Sequence, residues 1–338
     1  MSGVPEEERD GGSGQEPASR GEFRAQVQAR KADLERQFGA RKADFERQFE
    51  AGKAQFDQAQ ERIQARTGRN LILAVLIGVV FGGALLLSLL FLKELFMLLA
   101  VLMVGFASYE LAQALRKGSY LVPRIPTVVA AVVAVPVAYY GGPGGQLLAV
   151  LGGILLVTLW RLVEQAFPKS VAGSRGLVRD LAAGAFVQGY VTFLASFAVV
   201  LTAADGGQWW TLAFIIIAVG ADTGAYAAGL MFGKHPMAPV ISPKKTWEGF
   251  AGGALASLVA GVLLSVFMLG NTWWFGLIFG AAVLLTATLG DLAESLIKRD
   301  LGIKDMSSWL PGHGGFLDRL DSILPSAAVA FVAFQLFG

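Results

Sequence analysis

Polar and apolar positions divide the chain into three stretches. Residues 1–20 (MSGVPEEERDGGSGQEPASR) offer almost nothing to bury and read as a disordered tail. Between 21 and 69 the octets KADLERQF, KADFERQF and KAQFDQAQ start at Lys31, Lys42 and Lys53, an 11-residue period. Within it Phe23, Val27, Leu34, Phe38, Phe45, Phe49 and Phe56 are spaced alternately by 4 and 7 residues. Eleven residues make about three helical turns, so the spacing predicts an amphipathic helix with one slowly drifting apolar stripe. Three roles stay open for it: lying in a membrane interface, pairing in a right-handed coiled coil, or serving as a spacer interrupted by Gly39 and Gly52. From Leu71 onward, apolar runs of spanning length follow one another between short polar connections. They predict helices at about 71–92, 95–115, 125–141, 145–167, 181–203, 209–232, 250–270, 273–297 and 320–337. The third is short and carries Pro136, which leaves eight as an alternative count. The expected fold is therefore all-α, a polytopic integral membrane protein of about nine transmembrane helices with an N-terminal amphipathic helix.

Composition supports this division. Hydrophobic residues make up 54% of the 338 and charged residues 16%. The first 70 residues hold 13 of the 28 Lys/Arg and 13 of the 26 Asp/Glu, which leaves 28 charges over the other 268 residues. So few charges belong in a membrane. A net charge of +2 gives no electrostatic footprint for nucleic acid. With no cysteine, disulfides, thiolate metal sites and a cysteine nucleophile are excluded. No leader peptide is expected, because the first apolar run begins only at Leu71.

Orientation follows from the short loops. Basic residues fall in the even-numbered connections: Arg116, Lys117 and Arg124; Lys169, Arg175 and Arg179; Lys234, Lys244 and Lys245; Lys298, Arg299, Lys304 and Arg319. The odd-numbered ones (Lys93-Glu94, GGPGG, AADGGQ and LGNT) carry a single basic residue. Nine spans then put the N-terminal region and every basic loop in the cytoplasm. The pairs Gly220/Gly224, Gly229/Gly233, Gly249/Gly253 and Gly276/Gly280 read as close helix packing without chemistry. Trp209, Trp210, Trp273 and Trp274 read as interfacial anchors.

An ionisable group inside a span asks for a partner, water or a ligand. Snorkelling accounts for Glu110, and a local Arg161/Glu164 pair for those two residues. The last third of the chain differs. Asp222 falls within the sixth run, and Asp291 and Glu294 within the eighth. On a helix Asp291, Glu294, Ser295 and Lys298 share one face at i, i+3, i+4 and i+7. The pattern continues through Arg299, Asp300, Lys304, Asp305, His313, Asp318, Arg319 and Asp321, and Asp318, Asp321 and Ser322 again share a face. Carboxylates on facing helices with several Lys/Arg are what a hard divalent cation and phosphates require. The PGHGG turn, with Gly314, adds unhindered amides. Ser242, Lys244 and Lys245 precede a helix N-terminus, another favourable anion position. For the two histidines, His235 and His313, a phosphate contact and an ordinary loop role both stay open. Asp222 is open between orienting a basic group, binding nucleotide and capping a helix.

The segment SLIKRDLGIKD from Ser295, followed by PGHGGFLDRLD from Pro311, closely resembles the signature of the phosphatidate cytidylyltransferase (CDP-diacylglycerol synthase) family. ADTGAY from Ala221 and ISPKKT from Ile241 resemble its other motifs in order and spacing. The resemblance covers about residues 71–338 and is sharpest over 218–325, which is the expected catalytic part. It implies transfer of cytidylyl from CTP to phosphatidate with Mg²⁺, a second cation being open. It also implies a homodimer in a bacterial cell (inner) membrane, with a site facing the cytoplasm and the lipid. By the same match Asp291 and Asp318 are metal ligands, and they act with Lys298 and Arg319 in catalysis. Asp222, Ser242, Lys244, Lys245, Arg299, Lys304, His313, Gly314 and Asp321 are assigned to substrate. Alternatives are another CTP-dependent membrane lipid enzyme (an isoprenoid-alcohol kinase or a CDP-archaeol synthase) and, from a different class, a secondary transporter with acidic residues at mid-membrane.

Overall fold

The computed structural model describes residues 71–167, 176–307, 309 and 314–338, with side chains from residue 78 onward. The expected tail and the 11-residue-repeat helix lie outside the described residues, as do Lys169, Arg175 and His313. The described part is helical apart from one short ribbon. Its elements are α1 (Leu71–Leu90), α2 (Lys93–Lys117), α3 (Arg124–Gln165), α4 (Leu177–Val187), a wide π-helical turn (Gln188–Phe193), α5 (Leu194–Ala203) and α6 (Gly207–Phe232). There follow β1 (Pro236–Ala238), β2 (Ser242–Thr246), α7 (Trp247–Phe267), α8 (Trp273–Asp300), α9 (Leu317–Leu320) and α10 (Ile323–Phe337). Among the described residues, seven helices are long and apolar enough to cross a membrane, counting α4–α5 and α9–α10 as one each. Their outer surfaces are apolar, as at Leu148, Val163, Leu230 and Phe267. That is the arrangement expected where the surrounding medium is hydrocarbon.

The helix at Arg124–Gln165 is in fact two arms. Gly142 leaves the helical region at φ 57° and ψ −151°. A Cβ placed on Gly153 would lie 3.1 Å from the Cβ of Ala130. In a straight helix residues so far apart would be separated by about 34 Å. The chain therefore folds back within GGPGG, where glycine tolerates a positive φ and Pro143 has no N–H to leave unpaired.

Local signals fix the other ends. Glu94 begins α2 and Arg116 and Lys117 end it, each complementing the helix dipole. Thr246 caps α7 by accepting the N–H of Gly249 at 3.1 Å. The small residues read as packing positions are largely that. A Cβ on Gly224 would stand 2.7 Å from the carbonyl oxygen of Gly252, and one on Gly253 would stand 2.9 Å from that of Ala221. Thus α6 and α7 pack backbone to backbone, and Gly276 and Gly280 do the same between α8 and α7. Gly220 is the exception, with open space where its Cβ would be. Behind these helices Phe214, Ile217, Val283, Leu317 and Leu324 form the buried centre.

Two expectations fail here. Arg161 does not pair with Glu164. It is buried and donates to Asp180 Oδ2 through Nη2 at 2.7 Å and Nε at 3.1 Å. Glu164 instead accepts from Trp160 Nε1 at 2.9 Å. Burial decides the partner, because Arg161 and Asp180 have both lost water and a surface carboxylate cannot follow Arg161 inward. Trp210 is no interfacial anchor. It is buried and meets Phe275, Phe279 and Phe334 edge-on, whereas Trp209, Trp273 and Trp274 are exposed.

Candidate active site

The C-terminal half of α8 carries the polar stripe expected there, and it faces inward. Ser295 Oγ donates to Asp291 Oδ1 at 3.4 Å. Lys298 Nζ bridges Glu294 Oε2 at 2.6 Å and Asp318 Oδ1 at 2.8 Å, which ties α8 to α9. The crossing is close because Gly290 has no side chain; a Cβ there would collide with the carbonyl oxygen of Asp321. Asp318 Oδ2 accepts the backbone N–H of Gly315 at 2.7 Å and of Met306 at 3.3 Å, so this carboxylate closes the loop that precedes it. Gly314 has a φ of +83° in that turn, a conformation that favours glycine.

Asp222 reaches the same place from α6. Its Oδ2 accepts from Ser322 Oγ at 3.0 Å, and the same hydroxyl lies 3.1 Å from Asp321 Oδ1. One proton serves the two carboxylates in turn. Asp222 is far from either end of α6, which excludes the capping role.

The β1–β2 ribbon supplies the basic side chains. Pro236 pairs with Thr246 and Ala238 with Ser242 in an antiparallel register. Lys245 forms an ion pair with Asp291. Arg299 Nε donates to the carbonyl oxygen of Ile241 at 3.2 Å and holds the ribbon to the end of α8. His235 is held by Glu248, which also accepts the N–H groups of Lys234 and His235 at 3.1 and 3.2 Å. That contact assigns His235 to ribbon structure.

Two cavities meet at this cluster. One of about 440 Å³ has Tyr226, Lys244, Lys245, Phe250 and Thr288 among its walls, with Asp222 and Asp291 on one side. The other, of about 280 Å³, is lined by Asp222, Asp291, Lys298, Asp305, Asp318, Arg319, Asp321 and Ser322. Asp222 and Asp291 are common to both. The smaller cleft sets five carboxylates against two cationic side chains. That surplus of hard oxygen donors suits a divalent cation. Among the described residues no three His, Asp or Glu side chains enclose a metal position on their own.

Most of the residues singled out in the sequence are thus gathered: Asp222, Lys244, Lys245, Asp291, Lys298, Asp318, Arg319 and Asp321 line the paired cavities. Ser242 and Arg299 lie at the ribbon, and Lys304 is exposed on the loop after α8. Glu294 had no assigned role, although its i, i+4 spacing to Lys298 signals their pairing. Glu110 is the larger omission. It does not snorkel: it is buried, and it accepts the N–H of Leu317 at 2.9 Å and the hydroxyl of Ser307. Its only signal in the sequence was the cost of a carboxylate among apolar neighbours.

Seven helices able to cross a bilayer, closing on a polar cluster, define a polytopic membrane protein with a charged interior site. The chain belongs to the cytidylyltransferase family, whose sequence profile matches residues 72–337. It is 37% identical over 277 residues to the phosphatidate cytidylyltransferase of Mycobacterium bovis, covering 80% of this chain and 90% of that protein. The Mycobacterium leprae phosphatidate cytidylyltransferase is 38% identical over 279 residues, covering 80% and 89%. A shorter match, 44% over 124 residues, joins it to the phosphatidate cytidylyltransferase of Staphylococcus saprophyticus.

Proposed function

We propose that this protein transfers the cytidylyl group of CTP to phosphatidate, giving CDP-diacylglycerol and pyrophosphate. The observation that carries this reading is the paired cavity, in which Lys245–Asp291 and Lys298–Asp318 stand together among apolar helices. Lysines held against carboxylates are positioned for phosphate and are released when a phosphate or a cation takes their place. The mycobacterial relatives support the choice of reaction.

Phosphatidate brings its own nucleophile, because a phosphomonoester is largely dianionic near neutral pH. One of its oxygens attacks the α-phosphorus of CTP in line. The new P–O bond forms as the α–β anhydride bond breaks, and the electron pair leaves with pyrophosphate. No strong general base is needed. The obstacle is repulsion between two polyanions and the charge growing on the leaving group, which Lys244, Lys245, Lys298, Arg299 and Arg319 offset. Asp291 and Asp318 would hold Mg²⁺, with Asp222 and Asp321 beside them for a second cation. When bound, the metal supplies positive charge to the phosphate oxygens. Asp318 also fixes the loop of Gly314 and Gly315, and His313 and Lys304 are assigned to substrate with it.

The same reading places nine spans in the membrane of a homodimer, with the two α3 arms counted separately. The N-terminal region and the basic connections then face the cytoplasm, where CTP is available, and residues 1–68 are dispensable for chemistry. Tags at the two ends label on opposite faces; same-side labelling sinks this topology. The activity is tested by incubating membranes with labelled CTP, phosphatidate and Mg²⁺. Wild type forms CDP-diacylglycerol, whereas Asp291→Asn and Asp318→Asn do not. Absence of product from wild type, or full activity in both variants, overturns the assignment.

A further inference from the structure

Among the described residues, one cavity beside the site has almost wholly apolar walls. It holds about 320 Å³ between α1, α2, α5, α6 and the α9–α10 segment. Phe81, Gly82, Ala198, Phe214 and Val219 form part of its wall, and its one charged lining residue is Arg319. Arg319 also lines the carboxylate cleft. A single guanidinium therefore stands between a hydrocarbon-lined space and the place proposed for phosphate chemistry. Ala198 and Phe214 are buried, whereas Phe81 and Val219 are 38% and 53% exposed, so the slot opens on the apolar outer surface.

A cation shared between an apolar slot and a polar cleft matches one kind of ligand, an amphiphile with an anionic head and a hydrocarbon tail. We infer that this slot receives an acyl chain of the lipid substrate while Arg319 takes its phosphate, and that Gly82 sets the chain length admitted. This rests on the proposed use of phosphatidate. A chain leaving its neighbours in the bilayer for the slot gains little hydrophobic energy, because lipid tails are as apolar as the wall. The slot acts by shape. It fixes where the glycerol and phosphate stop, and so brings the head group to Arg319 and the cleft.

Gly82 is the one glycine in this wall, and a Cβ placed there meets nothing within 4 Å. A larger side chain can enter without moving backbone, and replacing glycine inside a helix favours the helix. Because Gly82 lines the slot, the added volume is expected to narrow it.

The experiment compares wild type, Gly82→Ala and Gly82→Leu as full-length protein in mixed micelles, with dihexanoyl and dioleoyl phosphatidate. Gly82→Leu lowers the dioleoyl to dihexanoyl ratio of kcat/KM by at least about tenfold, the lower end of what one methylene of misfit costs in an apolar pocket. Gly82→Ala changes the ratio less. An unchanged ratio in Gly82→Leu overturns the slot. A phosphatidate with a mid-chain diazirine supplies a readout independent of turnover. On wild type it labels the stretches Ala195 to Val199 and Phe214 to Val219; label confined to other helices overturns the slot. If wild type forms no CDP-diacylglycerol yet is labelled in those stretches, the proposed reaction falls and the lipid slot stands.

Discussion

Glu110 on α2 accepts the backbone N–H of Leu317, 207 residues later in the chain, at 2.9 Å. Its other carboxylate oxygen takes the hydroxyl of Ser307. A Cβ on Gly315 would stand 2.7 Å from Glu110 Oε2, so the loop passes hard against the buried carboxylate. One end of that loop donates to Asp318 through the Gly315 N–H at 2.7 Å. Glu110 thus fixes the height at which Asp318 enters the cleft without itself lining the cleft. Hydrogen bonds to a charged group contribute about 1.5–3 kcal/mol each. Glu110→Gln keeps the shape but turns an N–H₂ toward one of two donors. We expect kcat to fall roughly 10- to 100-fold, the cost of a small misplacement at a reacting centre. Gly315→Ala should do the same by pushing on the carboxylate. Steady-state kinetics of purified protein check this, and wild-type turnover in both variants would show the tether to be idle.

The Arg161–Asp180 pair is a second buried contact, and it lies away from the cluster. Asp180 also accepts the N–H of Leu121 at 2.8 Å, so one carboxylate fastens α3 to the connection before it. Removing one partner from a buried ion pair typically costs about 3–5 kcal/mol. Asp180→Asn and Arg161→Met should each lower the unfolding midpoint in detergent. The double variant Arg161→Met/Asp180→Asn should lose less than the two single losses combined. Activity per folded molecule should hold in all three. Strict additivity would mean that the two side chains do not act as a pair.

These contacts also show what the sequence could and could not convey. The apolar runs conveyed the helices, because a bilayer fixes their length and the Gly-rich connections mark their ends. The cluster at 291–321 was legible for the same reason: carboxylates are costly among apolar residues, so each one present asks for a partner. The partners themselves were not legible. Nothing local to Glu110 encodes a contact two hundred residues away, and the i, i+3 rule chose Glu164 for Arg161 because it ignores burial. The tandem Trp209–Trp210 misled similarly. Successive residues on a helix point about 100° apart, so one ring can meet the interface while the next enters the core. The β1–β2 ribbon lay hidden in a proline-rich stretch with no alternation.

The α6–α7 seam allows a sharper test of small-residue packing. Gly253 is buried, and a Cβ there would stand 2.9 Å from the carbonyl oxygen of Ala221, the residue before Asp222. Gly220, the residue before Ala221, has open space. Overfilling a packed contact costs about 1–3 kcal/mol. Gly253→Ala should therefore lower the thermal midpoint and reduce turnover by shifting Asp222, whereas Gly220→Ala should leave turnover unchanged and not lower the midpoint. Equal effects at the two positions would remove the seam as the cause.

Lys298 combines a structural and a chemical role, and the two can be separated. Its Nζ lies 2.6 Å from Glu294, whose side chain is fully buried, and 2.8 Å from Asp318, which lines the cleft. In Lys298→Met, Glu294 loses its counter-charge in a setting where an unpaired carboxylate costs several kcal/mol. The variant should be both less stable and inactive. Adding Glu294→Gln removes the stranded charge, so Lys298→Met/Glu294→Gln should regain most of the lost stability. It should not regain activity, because the cation paired with Asp318 beside the incoming phosphates is gone. We expect turnover at least about 100-fold below wild type in both, of the order seen when one electrostatic donor is removed from a reacting site. Thermal unfolding followed in parallel with CDP-diacylglycerol formation checks the two halves separately. Activity returning together with stability in the double variant would make Lys298 a structural residue only.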